Sequence, residues 1–512
     1  MIGKIAYQRL QQSLSFVLIW LPIGIVNILM RNLFSSGLLI LCICLDSGLL
    51  LAQTPLPSLG DRISGTVSMD QEYEMGQQFL AQLRRSAPTI PDALLNSYLE
   101  NVTYRLASSS QLRDHRLSFV IIDSDQLNAF AAPGGIIGVN TGLFLNAETE
   151  AEFASVMAHE IAHVSQRHFA RGIDQAQSAR IPQLATLLAS VVIMATSDAS
   201  HGTAAITAAQ GQAVENQLRF SRSNETEADR VGQDTMYNAG FDPDAMTALF
   251  ERLIAINRFG RRPPEFLLSH PVTESRIAES RGRAIRYPEK PYSSNIEYMV
   301  QRARVVAHYA IDKEVHVAES EKLLEESTSE FSRDANRYAL AVAYQENKQY
   351  AQASAALAPL LDKDPNRISY VVTQVEILTE QNEPGQAIEF LQRHLEINPD
   401  NHPLTMAHAN ALVAARSYEE AAQVMEKHTD VRNNDHHLWY QIAEVQGQAG
   451  NISKVHQARA EYFILIGDYS SAREQLNYAL RVENDNGSAP AIAARLQQKI
   501  RDVEAIQLRR SN

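Results

Sequence analysis

The chain has 512 residues, 45% of them hydrophobic and 21% charged, with a formal net charge of −13, which is room for several folded units of ordinary globular composition. The first 52 residues carry Lys4, Arg9, Arg31 and Asp46, a sum of +2, so the remainder holds −15 and is poorly suited to neutralising nucleic-acid phosphates. Both cysteines, Cys42 and Cys44, lie in an N-terminal apolar run, which excludes a disulfide framework or a thiolate metal site from the rest of the chain.

Two apolar runs, Phe16 to Met30 and Leu33 to Ala52, are interrupted by Pro22, Arg31 and Asp46, and neither reads as a membrane span. With translation starting at Met30, Met30-Arg31-Asn32 becomes a positive n-region, Leu38 to Leu45 an apolar h-region, and Leu51-Ala52 a cleavage neighbourhood. This pattern predicts a targeting segment over 1–52, export across the inner membrane of a Gram-negative bacterium, and a mature chain beginning near Gln53. A retained N-terminal anchor is the competing reading.

Asp70 to Arg84 has Tyr73, Met75, Phe79 and Leu83 near helical spacing, and a second helix follows from Pro91 to Ala107. Leu117 to Ile122 is β-branched and aromatic and reads as a strand. Asn128 to Gly135 turns the chain into a further strand, Ile136 to Asn140, with Gly134 and Gly135 permitting positive φ or a close backbone approach. This strand is either an open edge beside a cleft, able to take an extended peptide, or one arm of an ordinary hairpin.

Thr149 and Glu152 form a capping-box pattern at the start of a helix with Phe153, Val156, Met157, Ile161 and Val164 on its apolar side. On it lies His159-Glu160-Ile161-Ala162-His163. Histidines four apart leave one helix face a turn apart and can grip one zinc ion, with Glu160 beside them to handle a proton. Leu184 to Ala195 is nearly unbroken in apolar character but too short to cross a bilayer, and Ser197 to Gly211 is rich in Ala, Gly and Ser. Glu225 and Asp229 then stand four apart on another helix. Glu225 is either the carboxylate completing a two-histidine catalytic zinc site or a surface acid; Asp229 could accept a hydrogen bond from a ligand imidazole. Glu227 points elsewhere on that helix and reads as solvated. His168 is off the ligand face and reads as support from behind, and His270, before Pro271, reads as a helix-start or surface histidine.

The C-terminal part has a period. Ala353, Ala387 and Ala421 are 34 apart, as are Leu357, Leu391 and Met425, and Pro365 and Pro399 share the interval. That is the tetratricopeptide signature, with roughly four or five repeats between Phe331 and Val482 and helices from Ser294 as a bridge. Stacked helix pairs form a concave surface for protein segments, unless they only dock onto the domain before them.

His159-Glu160-Ile161-Ala162-His163 together with Ser221 to Arg230, Gly240-Phe241-Asp242-Pro243, Arg262-Pro263-Pro264-Glu265 and His270-Pro271-Val272-Thr273-Glu274-Ser275-Arg276 resembles the M48 family of zinc metallopeptidases. The resemblance implies an α+β zincin-like peptidase domain, mostly helical with a small sheet, followed by an all-α tetratricopeptide solenoid. It implies one Zn2+ per chain held by His159, His163 and Glu225, with Glu160 and Asp229 as the catalytic pair. It further implies that His270 can occupy the open zinc position and hold the enzyme latent, and that the 181–217 insertion flanks the active site as a lid or plate. The expected organisation is a targeting segment over 1–52, a peptidase domain over 53–293, bridging helices over 294–330, repeats over 331–485 and a C-terminal helix over 486–512. The expected function is a periplasmic endopeptidase, in contact with the outer membrane, that degrades stalled outer-membrane β-barrel proteins and assists their assembly. Its implied partners are those proteins, their assembly machinery and lipopolysaccharide-export components. The alternative is a chaperone or scaffold for barrel assembly with latent proteolysis.

Overall fold

The computed structural model describes residues 67–175, 222–259, 264–292, 294–487 and 489–511, all within one compact unit spanning 63–512. The expected targeting segment and the 181–217 insertion lie outside the described residues. No helix among the described residues is long and apolar enough to cross a membrane.

Helix α1 (Met69–Ser86) starts at Ser68, whose hydroxyl accepts from the Gln71 amide while the Gln71 side chain returns to the Ser68 amide. Helix α2 (Ala93–Ser108) starts at Asp92, which caps Leu94 and Leu95. Three strands follow, β1 (Ser118–Ile122), β2 (Ala129–Ala132) and β3 (Ile136–Asn140), in the order β1-β3-β2. β3 runs parallel to β1 and antiparallel to β2. The strand Ile136 to Asn140 is therefore central. The structure overturns the open-edge reading of that strand and bears out the hairpin: Ala129–Ala132, read in the sequence as a turn, pairs with β3 as the hairpin's other arm and is the outer strand of the sheet. Four small and aromatic residues show too little alternation to signal a strand, and β2 exists because β3 offers it a ladder.

Ladder parity fixes which groups of β2 face outward. The Asn140 amide donates to Asn128 O at 3.0 Å, so Asn128, Phe130 and Ala132 bond inward to β3, and the amides and carbonyls of Ala129 and Ala131 face away from it, with Ala129 wholly buried and the Ala131 amide turned toward Glu160. The hairpin turns through Pro133–Gly135, where Gly134 has φ 72° and a Cβ would lie 2.6 Å from Tyr73 Cα on α1.

Helices α3 (Gly142–Asn146), α4 (Glu150–Ser165), α5 (His168–Gln175), α6 (Arg222–Ala239), α7 (Ala245–Phe259), α8 (Glu265–Ser269) and α9 (Glu274–Ala284) complete the N-terminal half. Its core joins Tyr98 and Leu99 of α2, Ile137 and Val139 of β3, Phe153 and Met157 of α4, and Leu249 and Leu253 of α7. Helix α10 (Ile296–Tyr309) closes this core with Tyr298, which donates to Ala147 O at 2.7 Å.

After α11 (Lys313–Glu325) come five antiparallel pairs: α12 (Glu330–Glu346) with α13 (Tyr350–Lys363), α14 (Ile368–Glu380) with α15 (Pro384–Ile397), α16 (His402–Ala414) with α17 (Tyr418–His428), α18 (His436–Gln448) with α19 (Ile452–Leu465), and α20 (Tyr469–Asp485) with α21 (Pro490–Ser511). Ala353, Ala387 and Ala421 are wholly buried at the helix crossings. The period also appears in the backbone: Lys348, Asn382, Arg416 and Gly450 each adopt positive φ at the turn within a pair. The next amide in each case bonds back across the turn, as Ser417 N does to Leu412 O at 2.9 Å.

The repeats dock on the N-terminal half through α2. Leu94 joins the cluster of Val371, Leu404 and Ala407, Arg304 bridges Asp92 and Glu376 at 2.8–3.1 Å, and Arg432 makes a two-armed pair with Glu100 at 2.6 and 2.7 Å. A cavity of about 400 Å³ remains beside this contact, lined by Asp92, Arg304, Glu376, Glu380, Met406 and His437 among others.

Candidate metal centre

Helix α4 starts where Thr149 Oγ1 accepts from the Glu152 amide at 3.2 Å. The reciprocal half of the expected capping box is absent, because the Glu152 carboxylate turns away to the Glu148 amide and to both arms of Arg252 at 2.7 and 2.9 Å, a charged fork that outcompetes a single amide. From this start His159, Glu160 and His163 fall on the buried side, each at most 3% exposed.

Helix α6 crosses α4 closely enough that a Cβ on Gly232 would lie 3.3 Å from the backbone of Ala158 and His159. That approach delivers Glu225 and Asp229, one turn apart, to the histidines. His159 Nε2 is 3.0 Å from His163 Nε2 and 3.4 Å from Glu225 Oε2, and His163 Nε2 is 3.5 Å from Glu225 Oε1. His270, at the end of α8, brings Nδ1 to 3.2 Å from His159 Nε2 and 3.1 Å from Glu225 Oε1. These four side chains are the group among the described residues able to hold a metal ion. Ligands 2.0–2.1 Å from a tetrahedral zinc are separated by roughly 3.3 Å, so the donor spacing and the imidazole and carboxylate chemistry fit a divalent cation.

The groups behind the donors are ordered. His159 Nδ1 lies 3.0 Å from Asp229 Oδ1, and Arg276 from α9 grips Asp229 with Nε and Nη2, both at 2.7 Å. Nη1 of Arg276 is 2.9 Å from Glu225 Oε2 and donates to Pro271 O at 2.8 Å. Burial works against a charged Asp229 carboxylate, but Arg276 and His159 hold its pKa below the usual range. Burial likewise disfavours an imidazolium at His159, yet Asp229 and Glu225 outweigh it and push the metal-free side chain up to about 9.

His163 is backed differently. Its Nδ1 is 2.8 Å from His168 Nδ1, His168 Nε2 is 3.1 Å from Glu227 Oε2, and Arg171 donates to the same oxygen at 2.7 Å. His168 thus supports the site from behind, as its position off the ligand face suggested. Glu227 departs from the solvated expectation, because α5 brings His168 and Arg171 against its side of α6. Burial holds His168 down at about 4. Glu160 is fully buried, with neither carboxylate oxygen in a regular hydrogen bond; it faces His270 Nε2 at 3.5 Å and the Ala131 backbone amide, and burial raises its pKa.

Residues 93–284 match peptidase family M48, and residues 378–445 match a tetratricopeptide repeat family. The chain is 33% identical over 459 residues to the beta-barrel assembly-enhancing protease of Escherichia coli (strain K12), covering 89% of this chain and 91% of that one. The chain belongs to peptidase family M48. This M48 metallopeptidase is also 32% identical over 467 residues to the protein of the same name from Yersinia pestis, covering 91% and 94% of the two chains. Its similarity to the mitochondrial metalloendopeptidase OMA1 of Schizosaccharomyces pombe is confined to 227 residues at 30% identity, 43% of this chain and 64% of that one.

Sequence reasoning about the M48 site missed three contributors. Arg276 lay within the quoted His270-to-Arg276 segment, but nothing in that segment showed that its side chain reaches back to Asp229. Arg171 follows His168 by three positions, a weak hint of a shared helix face. Phe266 stacks on His270 with ring centroids 4.9 Å apart and meets His159 edge-on at 6.3 Å. Its signal was only that an aromatic residue stands four before a histidine.

Proposed function

We propose that this M48 metallopeptidase is a zinc-dependent endopeptidase of the periplasm, held latent by His270, that acts on outer-membrane β-barrel proteins during their assembly. The observation that carries the reading is the convergence of His159 Nε2, His163 Nε2, a Glu225 oxygen and His270 Nδ1 on one buried point. His159, His163 and Glu225 would hold the ion, which when bound supplies a Lewis acid and a water of lowered pKa. Glu160, beside the donors and facing His270 Nε2 and the Ala131 amide, would accept a proton at a carboxylate oxygen and return it to the leaving amine, and burial raises its pKa toward that double task. Asp229, oriented by Arg276, faces Nδ1 of His159 and leaves Nε2 for the metal. The outer side of β2 would take an extended substrate beside Glu160 by strand addition once the cover that buries Ala129 moves. His270 would supply Nδ1 as a further ligand, and its Nε2 faces Glu160 at 3.5 Å, so one side chain stands against both the donors and the proton carrier.

The names of the long relatives support a role in barrel assembly, and the repeats suit protein segments. The N-terminal export pattern supports the periplasm. The purified protein is expected to bind one zinc per chain by elemental analysis and to cleave an unfolded outer-membrane barrel precursor. His270→Ala should raise that rate at least tenfold, whereas Glu160→Gln should keep the zinc and lower it about a thousandfold. Cleavage by zinc-free protein, or by Glu160→Gln at the parent rate, would overturn the assignment.

A further inference from the structure

Of the two imidazoles on α4, His163 is reached by a chain of contacts that begins away from the metal centre. Glu227 stands two residues after Glu225, which turns it about 200° around α6 and off the face that carries the donor. It is connected to the centre through α5. Arg171 Nη1 donates to Glu227 Oε2 at 2.7 Å, and His168 Nε2 lies 3.1 Å from the same oxygen. A guanidinium has protons and no acceptor, so the oxygen it grips is fixed as an acceptor and His168 Nε2 donates to it. The neutral His168 ring then has its lone pair at Nδ1, 2.8 Å from His163 Nδ1, so His163 donates there and keeps its own lone pair on Nε2. That Nε2 is the atom 3.0 Å from His159 Nε2 and 3.5 Å from Glu225 Oε1. The chain is shielded from water, since the His168 side chain is wholly buried and that of Glu227 largely so. His159 has no such intermediary, because Asp229 Oδ1 faces its Nδ1 directly at 3.0 Å.

We infer that Glu227 and Arg171 are positioning residues for the metal centre, acting through His168 to set the direction of the proton between His168 and His163 and so to keep His163 Nε2 open for the ion. The contact between the two Nδ1 atoms holds one proton and has two arrangements. With the proton on His163 Nδ1, that ring is a metal ligand; with it on His168 Nδ1, the proton of His163 sits on Nε2 and faces the donors. Two imidazoles are chemically alike, so the contact by itself does not decide between them. The decision is made at the far side of His168, where an acceptor held by Arg171 selects the first arrangement. An apolar group in place of Glu227 leaves the choice open, and zinc affinity falls although no ligand has changed. The neutral intermediary also has an electrostatic reason. Glu225 and Asp229 already bring two carboxylates to the site against the one cation of Arg276, and His168 passes on the orienting effect of a third without placing its charge beside His163. The inference rests on the zinc reading above and adds two residues that lie outside the donor set.

The test measures zinc affinity of the full chain by competition with a chromophoric chelator at a single pH. His168→Asn puts an amide oxygen where Nδ1 stands, so it accepts from His163 without help from Glu227, and it is expected to bind zinc within about threefold of the parent. His168→Leu offers no acceptor and is expected to bind at least about tenfold more weakly. Glu227→Leu should weaken zinc at least about fivefold in the parent but less than about twofold when added to His168→Asn, where the chain is already cut. Glu227→Gln, whose carbonyl still accepts from Arg171 and His168, should stay within about twofold of the parent. A Glu227 that only braced α5 against α6 would weaken zinc to the same degree in both backgrounds. Equal losses in both backgrounds, or His168→Asn as weak as His168→Leu, would overturn the inference while leaving the zinc site intact. A parent that binds no zinc would overturn the zinc reading, and the inference with it. The comparison of Glu227→Leu in its two backgrounds does not use His168→Leu, so it decides the matter even where that variant fails to fold.

Discussion

The two histidines of α4 are supported by different chemistry. His159 has an ionised carboxylate behind it, whereas His163 has a neutral imidazole that is itself oriented by Glu227 and Arg171. With His163 Nε2 facing the metal, one proton per contact requires N–H at His163 Nδ1, a lone pair at His168 Nδ1, and N–H at His168 Nε2. Arg276 matters most to the stability of this arrangement, since it pairs with both buried carboxylates of α6. Arg276→Ala leaves Asp229 and Glu225 without their cation and is expected to cost about 3–5 kcal/mol, read by denaturant titration, with zinc affinity falling alongside. Arg276→Lys should recover only part of this, because an ammonium cannot reproduce the fork to Asp229 together with the bond to Pro271 O. A change under 1 kcal/mol for Arg276→Ala would show that the pair is dispensable.

At the level of elements, the repeat turns follow one geometry with different residues. Lys348, Asn382 and Arg416 occupy the left-handed conformation that Gly450 reaches without steric cost. Their side chains are tolerated because the bond across each turn and the buried alanines of the pair over-determine the backbone. Arg416→Gly should therefore stabilise the protein by up to about 1 kcal/mol, relief of left-handed strain exceeding the extra entropy of an unfolded glycine. A fall in melting temperature would contradict that balance. The edge strand offers a second test: Ala131→Pro, at the half-buried position of β2, removes an outward amide and no bond to β3. It is expected to lower kcat/KM for unfolded substrate at least tenfold with less than 1 kcal/mol change in stability. Equal loss of both would mean that β2 serves the fold and not the substrate.

Across the whole molecule, the contact between the peptidase half and the repeats is rich in polar groups held under burial. Thr89 Oγ1 is 2.9 Å from His437 Nε2 and Arg84 donates to Asn434 O at 3.0 Å, and on the repeat side of the cavity there His402 Nδ1 is 3.0 Å from His428 Nε2. Burial lowers His402 to about 4 from an ordinary 6.5, with Arg432 adding to the effect and Asp435 opposing it. Burial lowers His436 to about 2, with His437 and Arg84 nearby acting in the same direction. A histidine depressed on folding contributes stability that is fully present above its unfolded pKa and is lost as pH falls toward the folded value. Unfolding temperature is thus expected to hold between pH 8 and 7 and to drop progressively below about 6.5, and replacing His402 and His436 together by Gln should flatten that acid limb. An acid limb of unchanged slope in the double variant would place the acid sensitivity elsewhere.

What could be read from the residues was whatever depends on spacing along one chain segment. The two histidines and Glu160 share a helix turn, Glu225 and Asp229 share another, and the alanines recur every 34 positions, so the peptidase class, the donors on α4 and α6 and the repeat array were all legible before any fold was known. The targeting segment, expected from the pattern of charge and hydropathy, lies outside the described residues. The capping box was only half legible, because Arg252 draws Glu152 away from a distance of 100 residues. The edge strand was missed because it has no periodicity of its own, and Glu227 was misplaced because a solvated carboxylate and one facing a neighbouring helix look alike in sequence. The reach of Arg276 to Asp229, the hold of Glu227 and Arg171 on His168 and the tie from Phe266 to Leu127 O depended on tertiary structure alone. Each joins residues far apart in sequence or on different elements, and local propensity carries no information about which distant surfaces are brought within hydrogen-bond reach.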